Sequence, residues 1–170
     1  GHLRYKGANL MAIREVTPED LNKPGYLVEM VALGKLVHES SAYKHLPFDP
    51  GVLALQLEGC VLDDEGLVVA AERNGKLIGG LVADIVPFFY SQAKEAIESI
   101  IFIHPDYSHT LDGPKLISAY VKWAKANNCA HISLGHSAGF EKGHKLGEYL
   151  IRRHGFKEAG VLYRIENEVA

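Results

Sequence analysis

Hydrophobic residues recur along the chain with two spacings, which predict helices in some segments and strands in others. Apolar residues spaced three and four apart follow Thr17-Pro18 and Asp49-Pro50. In each pair the first residue can cap a helix and the proline suits the first helical position, so each pair predicts the start of a helix. The first helix is interrupted at Pro24-Gly25 and is expected to restart there. Two later helices are predicted over Gly113–Asn127 and Gly143–His154.

Shorter apolar runs predict strands, and Asn74-Gly75 between two of them is a strong hairpin signal. The predicted strands are Ala12–Val16, Leu67–Arg73, Lys76–Val86, Ala96–His104, His131–Gly135 and Gly160–Glu166. The order is therefore β-α-α-β-β-β-α-β-α-β, in which a meander of three antiparallel strands precedes a β-α-β unit with parallel strands. These elements predict an α/β (α+β) fold with a central mixed, mostly antiparallel sheet and helices on both faces.

Composition narrows the class of protein without changing this picture. The chain has 170 residues, 47% of them hydrophobic, which suffices for one domain with a full core. A net charge of −3 argues against nucleic acid or an acidic membrane surface as the main partner. The two cysteines, Cys60 and Cys129, do not form a disulfide framework, and a cytoplasmic location is expected. Residues 1–10 lack apolar periodicity and are expected to be an N-terminal extension or tag-like segment, with the domain over 11–170.

Nine histidines raise the question of a metal site. No pair has a known metal-ligand spacing, and the chain contains no Cys-x-x-Cys motif, so no metal is expected.

Two segments carry a family resemblance. In the first, the apolar run Ile100–Ile103 leads through His104-Pro105 to a short loop, and Gly113 lies in the first turn of the next helix. In the second, Arg152–Gly160 ends one helix and starts another strand. Together, in this order, they resemble the acetyl-CoA-binding core of the GNAT superfamily of N-acetyltransferases. The resemblance covers roughly Ala12 to Glu166 and implies a single domain with a splayed parallel strand pair.

The resemblance implies acetyl-CoA as acyl donor and indicates which residues would bind it. The backbone of Ile101, Phe102 and Ile103 would pair with the pantetheine arm, as in strand addition. The loop residues implied to bind the phosphates are Ser108, His109, Thr110, Leu111, Asp112, Gly113 and Lys115.

The loop departs from the family pattern at several positions. Ser108 replaces a cation, Leu111 replaces a small residue, Asp112 introduces a carboxylate, and Pro114 lacks an N–H. Two interpretations stay open: binding persists through main-chain contacts, or the loop has lost its ligand and the fold serves another purpose.

The resemblance also suggests residues for the chemistry. Glu98, on the strand that leads to the loop, is a candidate base, although it also fits a solvent-facing strand position. Glu95 is a weaker candidate for the same role. Tyr149 is the candidate acid by residue type. The family tyrosine would fall on Ile151, however, so Tyr149 also fits an ordinary packing role. If Tyr149 does not protonate the leaving thiolate, water or Ser137 remains as the proton donor.

Two aromatic-rich segments, Tyr43–Phe48 and Pro87–Tyr90, are expected to line the acceptor pocket or to serve core or dimer packing. The first of them resembles GNAT-related proteins of bacteriophages and prophages.

These observations predict an acetyl-CoA-dependent N-acetyltransferase that acts on a primary amine of a small molecule or protein, with no nucleic acid or membrane as partner. A homodimer is compatible with the resemblance. The alternative is a non-catalytic protein of the same fold that binds a protein partner or senses acyl-CoA.

Overall fold

The structure is a computed structural model that describes residues 11–135, 149, 150 and 152–169. A larger unit contains the described residues 11–135, and a smaller unit contains those from 149 onward. Each unit is described by itself. The predicted extension, residues 1–10, lies outside the described residues, as does most of the predicted helix Gly143–His154, of which residues 149, 150 and 152–154 are helical.

A five-stranded sheet forms the centre of the larger unit, with the strands in chain order from one edge to the other. Neighbouring strands are antiparallel, except that β4 and β5 run parallel. The strands are β1 (Met11–Glu15), β2 (Gly66–Arg73), β3 (Lys76–Pro87), β4 (Lys94–Ile103) and β5 (His131–Ser133). This mixed sheet confirms the predicted fold class.

Four α-helices accompany the sheet in the described part of the larger unit, and the two that follow Thr17 and Asp49 begin at the predicted caps. The carboxylate of Asp49 accepts hydrogen bonds from the main-chain N–H groups of Gly51 at 2.9 Å and Val52 at 3.2 Å. The helices are α1 (Pro18–Leu21), α2 (Tyr26–Glu39), α3 (Pro50–Leu62) and α4 (Asp112–Ala126), and a 3-10 helix (Pro105–Tyr107) precedes α4.

The predicted hairpin is also confirmed. Asn74 and Gly75, which join β2 to β3, have φ values of 51° and 78°. Two consecutive positive φ angles define the type I′ turn, whose twist matches that of the strands it connects.

Helices cover both faces of the sheet. On one face, α2 and α3 contribute Met30, Leu33 and Leu57 to a cluster with Val82 and Phe102 of the sheet. On the other face, α4 buries Leu116, Ile117 and Tyr120, all at 0% exposure. The core therefore lies in two layers, and β4 is held from both sides.

The predicted strand Gly160–Glu166 is wrong. Residues 155–169 contain neither helix nor strand, and Val161, Tyr163 and Ile165 are 77%, 90% and 92% exposed. An alternating pattern specifies which side chains would share a face, but a strand also needs a neighbour that supplies backbone partners. The alternating pattern of residues 160–166 therefore predicted a strand that does not form.

Candidate functional site

The strands β4 and β5 form a fork. They pair only over Glu95↔His131, Ala96↔Ile132 and Ile97↔Ser133. Beyond Ile97, β4 continues to Ile103 with β3 on one side and no strand on the other within the described part of the chain. The backbone of this half of β4 is therefore open to a ligand that pairs with it. Ile101, Phe102 and Ile103 lie here.

The side chains of this open half are structural. Ile101 and Phe102 are 2% and 3% exposed. Gly80 makes room for the phenyl ring, since a Cβ at that position would lie 2.6 Å from Cζ of Phe102. Buried side chains fix the strand while its edge stays available.

A β-bulge lies just after the fork. Val82 pairs with Ile100 and Ala83 pairs with Glu98, so Ser99 has no partner across the strands. Bulges bend a strand and re-aim its side chains, and they are frequent beside active sites. The bulge changes the direction of β4 immediately beside Glu98.

Glu98 lies at the point where the two strands part. Its carboxylate is half-buried and accepts a hydrogen bond from the main chain of Gly135, the second residue after β5. Burial raises the pKa of Glu98 from its ordinary value to about 7, and the hydrogen bond opposes part of that rise. A carboxyl group with this pKa exchanges a proton near neutral pH, which suits a general base.

Tyr120 of α4 lies under the fork, although the sequence did not indicate it as a site residue. Its hydroxyl donates to the carbonyl oxygen of Ser133 at 2.7 Å. Burial raises the pKa of Tyr120, and the charge of Glu98 raises it further. The Ser133 hydroxyl in turn donates to Glu95 at 2.6 Å. These bonds hold β5 against β4 and α4 at the base of the fork.

The loop between β4 and α4 presents main-chain donors. Ser108 and Thr110 direct their N–H groups to the carbonyls of Pro105 and Tyr107 at 3.3 and 3.1 Å. Among the described residues, no acceptor takes the N–H groups of His109, Leu111 or Gly113. Alternate amides of the loop are thus available to an anion.

Asp112 is bound within the protein. Its Oδ2 accepts from Nε and Nη2 of Arg73 at 3.1 and 2.9 Å, and from the hydroxyl of Thr110. The side chain is fully buried, and Oδ1 has no partner in the described residues. Arg73 also lies over the ring of Tyr107, 5.5 Å from its centroid. The carboxylate of Asp112, which was expected to lie towards the phosphates, instead anchors the loop to the end of β2.

The remaining loop side chains are on the surface. Leu111 is 65% exposed, so its side chain does not fill the space between the loop and α4. Ser108, His109 and Lys115 are also exposed. They are placed to contact a ligand from solvent.

The other candidates either belong to the smaller unit or fall outside the described residues. Tyr149 belongs to the smaller unit, where its ring stands 6.2 Å from that of His154. Ser137 lies outside the described residues, and Ile151 does too.

The two aromatic segments differ in burial. The ring of Phe48 is tilted against that of His38 with 5.4 Å between centroids, and Phe88 contacts His131 edge to face at 4.9 Å. Phe89 and Tyr90 are 91% and 94% exposed. The structure therefore gives packing roles to Phe48 and Phe88 and leaves two adjacent aromatic rings on the surface.

Within the described ranges, no three histidine, cysteine, aspartate or glutamate side chains are grouped to hold a metal ion. None of the helices there is long and apolar enough to cross a membrane.

The family model described as the acetyltransferase (GNAT) family matches residues 33–156, more than half of the chain. The chain belongs to the GNAT acetyltransferase family. The matched range contains the fork, the bulge and the loop before α4. No curated protein sequence matches the chain.

Solved structures of similar fold include acetyltransferases. An aminoglycoside acetyltransferase from an uncultured soil metagenomic sample, in complex with sisomicin, is 16% identical with a TM-score of 0.68, covering 93% of this chain and 97% of that one. The aminoglycoside N-acetyltransferase AAC(6')-Iy in complex with CoA is also 16% identical, with a TM-score of 0.68 and coverages of 96% and 99%. A transcriptional regulator from Bacillus halodurans C-125 is 19% identical, with a TM-score of 0.71 and coverages of 93% and 100%. At these identities the likeness shows the fold.

Proposed function

We propose that this GNAT protein is an N-acetyltransferase that transfers the acetyl group of acetyl-CoA to a primary amine of a small molecule or protein. The observation that carries the proposal is the position of Glu98, a half-buried carboxyl group with a pKa of about 7 at the fork of β4 and β5. Deprotonation of an amine requires a general base whose pKa lies near the pH at which the enzyme works.

The described residues fit the acyl donor. The open backbone of Ile101, Phe102 and Ile103 would pair with an extended amide-containing arm. The free amides of His109, Leu111 and Gly113 would bind phosphate oxygens, with help from the exposed side chains of the loop. Those side chains are Ser108, His109 and Lys115.

Bound acetyl-CoA would supply an activated thioester. Glu98 then removes a proton from the attacking amine, directly or through water. The bulge at Ser99 orients the strand beside the reacting groups. Tyr149 is the proposed proton donor to the leaving sulfur, with water and Ser137 as the alternatives.

A second candidate function is a non-catalytic protein that binds a partner or senses acyl-CoA. It is favoured by Ser108 at a position where the family usually has a cation, and by Pro114, which lacks an N–H. The similar fold of a protein described as a transcriptional regulator also supports it. The engaged carboxylate of Asp112 weakens this candidate, because its charge is compensated by Arg73.

The test measures turnover of acetyl-CoA with a panel of amines, and the release of the CoA thiol is the signal. Glu98→Gln should lower kcat by about 10²-fold or more, because it removes the base. Binding of acetyl-CoA should stay within about twofold. The matched control is Glu95→Gln on the same strand, which should retain most of the activity.

Equal turnover of the wild type and Glu98→Gln would remove Glu98 from the mechanism. Binding of acetyl-CoA without transfer to any amine would favour the second candidate.

Phage origin, a cytoplasmic location and a homodimer remain predictions of this proposal.

A further inference from the structure

The proposed base Glu98 depends on a backbone segment that lies beyond the end of the sheet. The strand β5 has only three residues, and its last pairing with β4 joins Ser133 to Ile97. The next two residues, 134 and 135, belong to neither helix nor strand. Gly135 nevertheless donates its main-chain N–H to the carboxylate of Glu98. A contact other than the strand pairing is therefore needed to fix the position of Gly135.

Tyr120 of α4 supplies such a contact. Its hydroxyl donates to the carbonyl oxygen of Ser133 at 2.7 Å, at the point where β5 ends. Two residues of extended chain span at most roughly 7 Å, so a bond at Ser133 restrains Gly135. A Cβ on Gly135 would lie 3.9 Å from Oε2 of Glu98, so the restrained backbone is close to the carboxylate.

The side chain of Tyr120 is itself held firmly. It is fully buried, as are Leu116 and Ile117 of the same helix. The ring of Trp123 lies 6.4 Å from that of Tyr120, measured between centroids. A buried tyrosine hydroxyl needs a hydrogen-bond partner, and the carbonyl of Ser133 provides it. The hydroxyl therefore acts as a fixed point for the end of β5.

Ionisable side chains surround the fork from α4, β4, β5 and the turn after α4. They are Tyr120, Glu95, His131 and Cys129. Asp84 of β3 lies on the other face of the sheet, where it contacts Cys60 of α3. Burial raises the pKa of Glu98 and the N–H of Gly135 lowers it, whereas these side chains do not contribute within the described chain. The hydrogen bond from Gly135 is thus the contact that favours the ionised base.

We infer that Tyr120 is a positioning residue for the proposed base: its hydroxyl holds the end of β5 so that the N–H of Gly135 stays on the carboxylate of Glu98. This inference deepens the proposed function and rests on it. A hydrogen bond to the charged form of a carboxyl group favours that form. The bond from Tyr120 therefore keeps part of Glu98 ionised, and able to accept a proton, at neutral pH.

Titration of Glu98 tests the inference without requiring turnover. Its carboxyl signal is followed by carbon-13 NMR of the full chain and is identified as the resonance that Glu98→Gln lacks. Tyr120→Phe removes the hydroxyl and keeps the ring. Because the hydrogen bond to the charged carboxylate is weakened, the titration midpoint should move upward by about 1 pH unit.

Ser133→Ala is the matched control for Tyr120→Phe. It removes the bond from the Ser133 hydroxyl to Glu95 but leaves the carbonyl that accepts from Tyr120. Its titration midpoint should therefore move by less than about 0.3 pH unit.

A second pair of variants alters the donor itself. Gly135→Pro lacks the N–H, whereas Gly135→Ala keeps it and adds a methyl group at ordinary contact distance from Glu98. Gly135→Pro should raise the midpoint as Tyr120→Phe does, and Gly135→Ala should not. If Tyr120 acts through Gly135, adding Tyr120→Phe to Gly135→Pro should produce no further rise. This pair keeps the inference testable if Tyr120→Phe folds poorly.

The pH profile of acetyl transfer provides a second readout. A raised pKa leaves less of the base ionised, so Tyr120→Phe should lower kcat/KM about fivefold at pH 7 and approach the wild type by pH 9. A loss of structure alone would lower kcat/KM by the same factor at every pH.

An unmoved midpoint in Tyr120→Phe would overturn the inference, and so would an equal rise in Ser133→Ala. Additive rises in the double variant would overturn it too, because Tyr120 would then act by another route. Acetyl transfer that depends on Glu98, together with an unmoved midpoint, contradicts only the inference. A raised midpoint in a protein that acetylates no amine contradicts only the proposed function.

Discussion

Glu98 shows how a single residue can serve chemistry at the expense of stability. Its carboxyl group is half-buried at the end of the parallel pairing, where the main-chain N–H of Gly135 donates to it. Desolvation disfavours the charged form, and this raises its pKa towards neutrality. The same desolvation must weaken the folded state at every pH at which the group is ionised.

Glu98→Gln is therefore expected to stabilise the protein at high pH. The folded-state pKa of about 7 exceeds the ordinary value, so the folded protein holds a proton that the unfolded chain has lost. Stability consequently falls as pH rises through the window between about 4.5 and 7. At pH 8 the variant should gain about 2 kcal/mol, allowing for partial exposure. At pH 4 both proteins are neutral at this position and should be equally stable.

Urea unfolding at the two pH values provides the measurement. A gain of the same size at pH 4 and pH 8 would show that charge burial is not the cause. Glu95→Gln is the control, since Glu95 accepts a short hydrogen bond from Ser133 and should lose stability when altered.

Local signals in the sequence predicted several elements because short-range chemistry determines them. Asp49 caps α3 with its own side chain, and Asn74-Gly75 adopts the two positive φ angles of the turn. The position of Glu98 on β4 was also predictable from the apolar run. Its burial was not, because that depends on where β5 ends. The partner of Asp112 lies 39 residues away in sequence, so no local pattern indicates it.

At the scale of elements, the loop before α4 depends on that long-range pair. The guanidinium of Arg73 at the end of β2 binds Oδ2 of Asp112 at the start of α4 through two nitrogens. Thr110 donates to the same oxygen, so Thr110 of the loop and Asp112 of the helix are both fixed relative to the sheet. The available amides of His109, Leu111 and Gly113 lie between or beside these anchors. The geometry of this loop, and of any phosphate site that it forms, therefore depends on Arg73 of β2.

Arg73→Met is expected to destabilise the protein by about 3 kcal/mol, because it leaves Asp112 buried without a counter-charge. Binding of acetyl-CoA should also weaken, since the loop loses its anchor. The double variant Arg73→Met with Asp112→Asn should recover part of the lost stability, because the uncompensated charge is gone. Denaturant unfolding of the single and double variants measures the coupling directly.

If Arg73→Met and Asp112→Asn changed the free energy of unfolding additively, this account of the pair would be contradicted. Arg73→Lys is the control, because it keeps the charge but not the two-nitrogen geometry, and it should fall between the wild type and Arg73→Met.

At the scale of the molecule, β4 joins the two layers of the core. Ile100 and Phe102 pack on the side of α2 and α3, and Ile101 of the same strand is 2% exposed. The open edge of β4 and the loop before α4 are the proposed sites for the acyl donor. Because side chains on both faces of β4 are packed, the strand offers that ligand a rigid edge.

Ligand binding to this strand should raise the stability of the whole fold. A ligand at about 100 times its dissociation constant adds roughly 2.7 kcal/mol, which for a domain of this size raises Tm by about 5–10 °C. Acetyl-CoA and CoA should both produce this rise, because each carries the pantetheine arm and the phosphates. ATP should not, since phosphates alone leave the edge of β4 unpaired. A thermal unfolding series with the three ligands at millimolar concentration measures the difference. Equal shifts with ATP would mean that the loop binds phosphate without the strand, and no shift with any ligand would remove acetyl-CoA from the proposal.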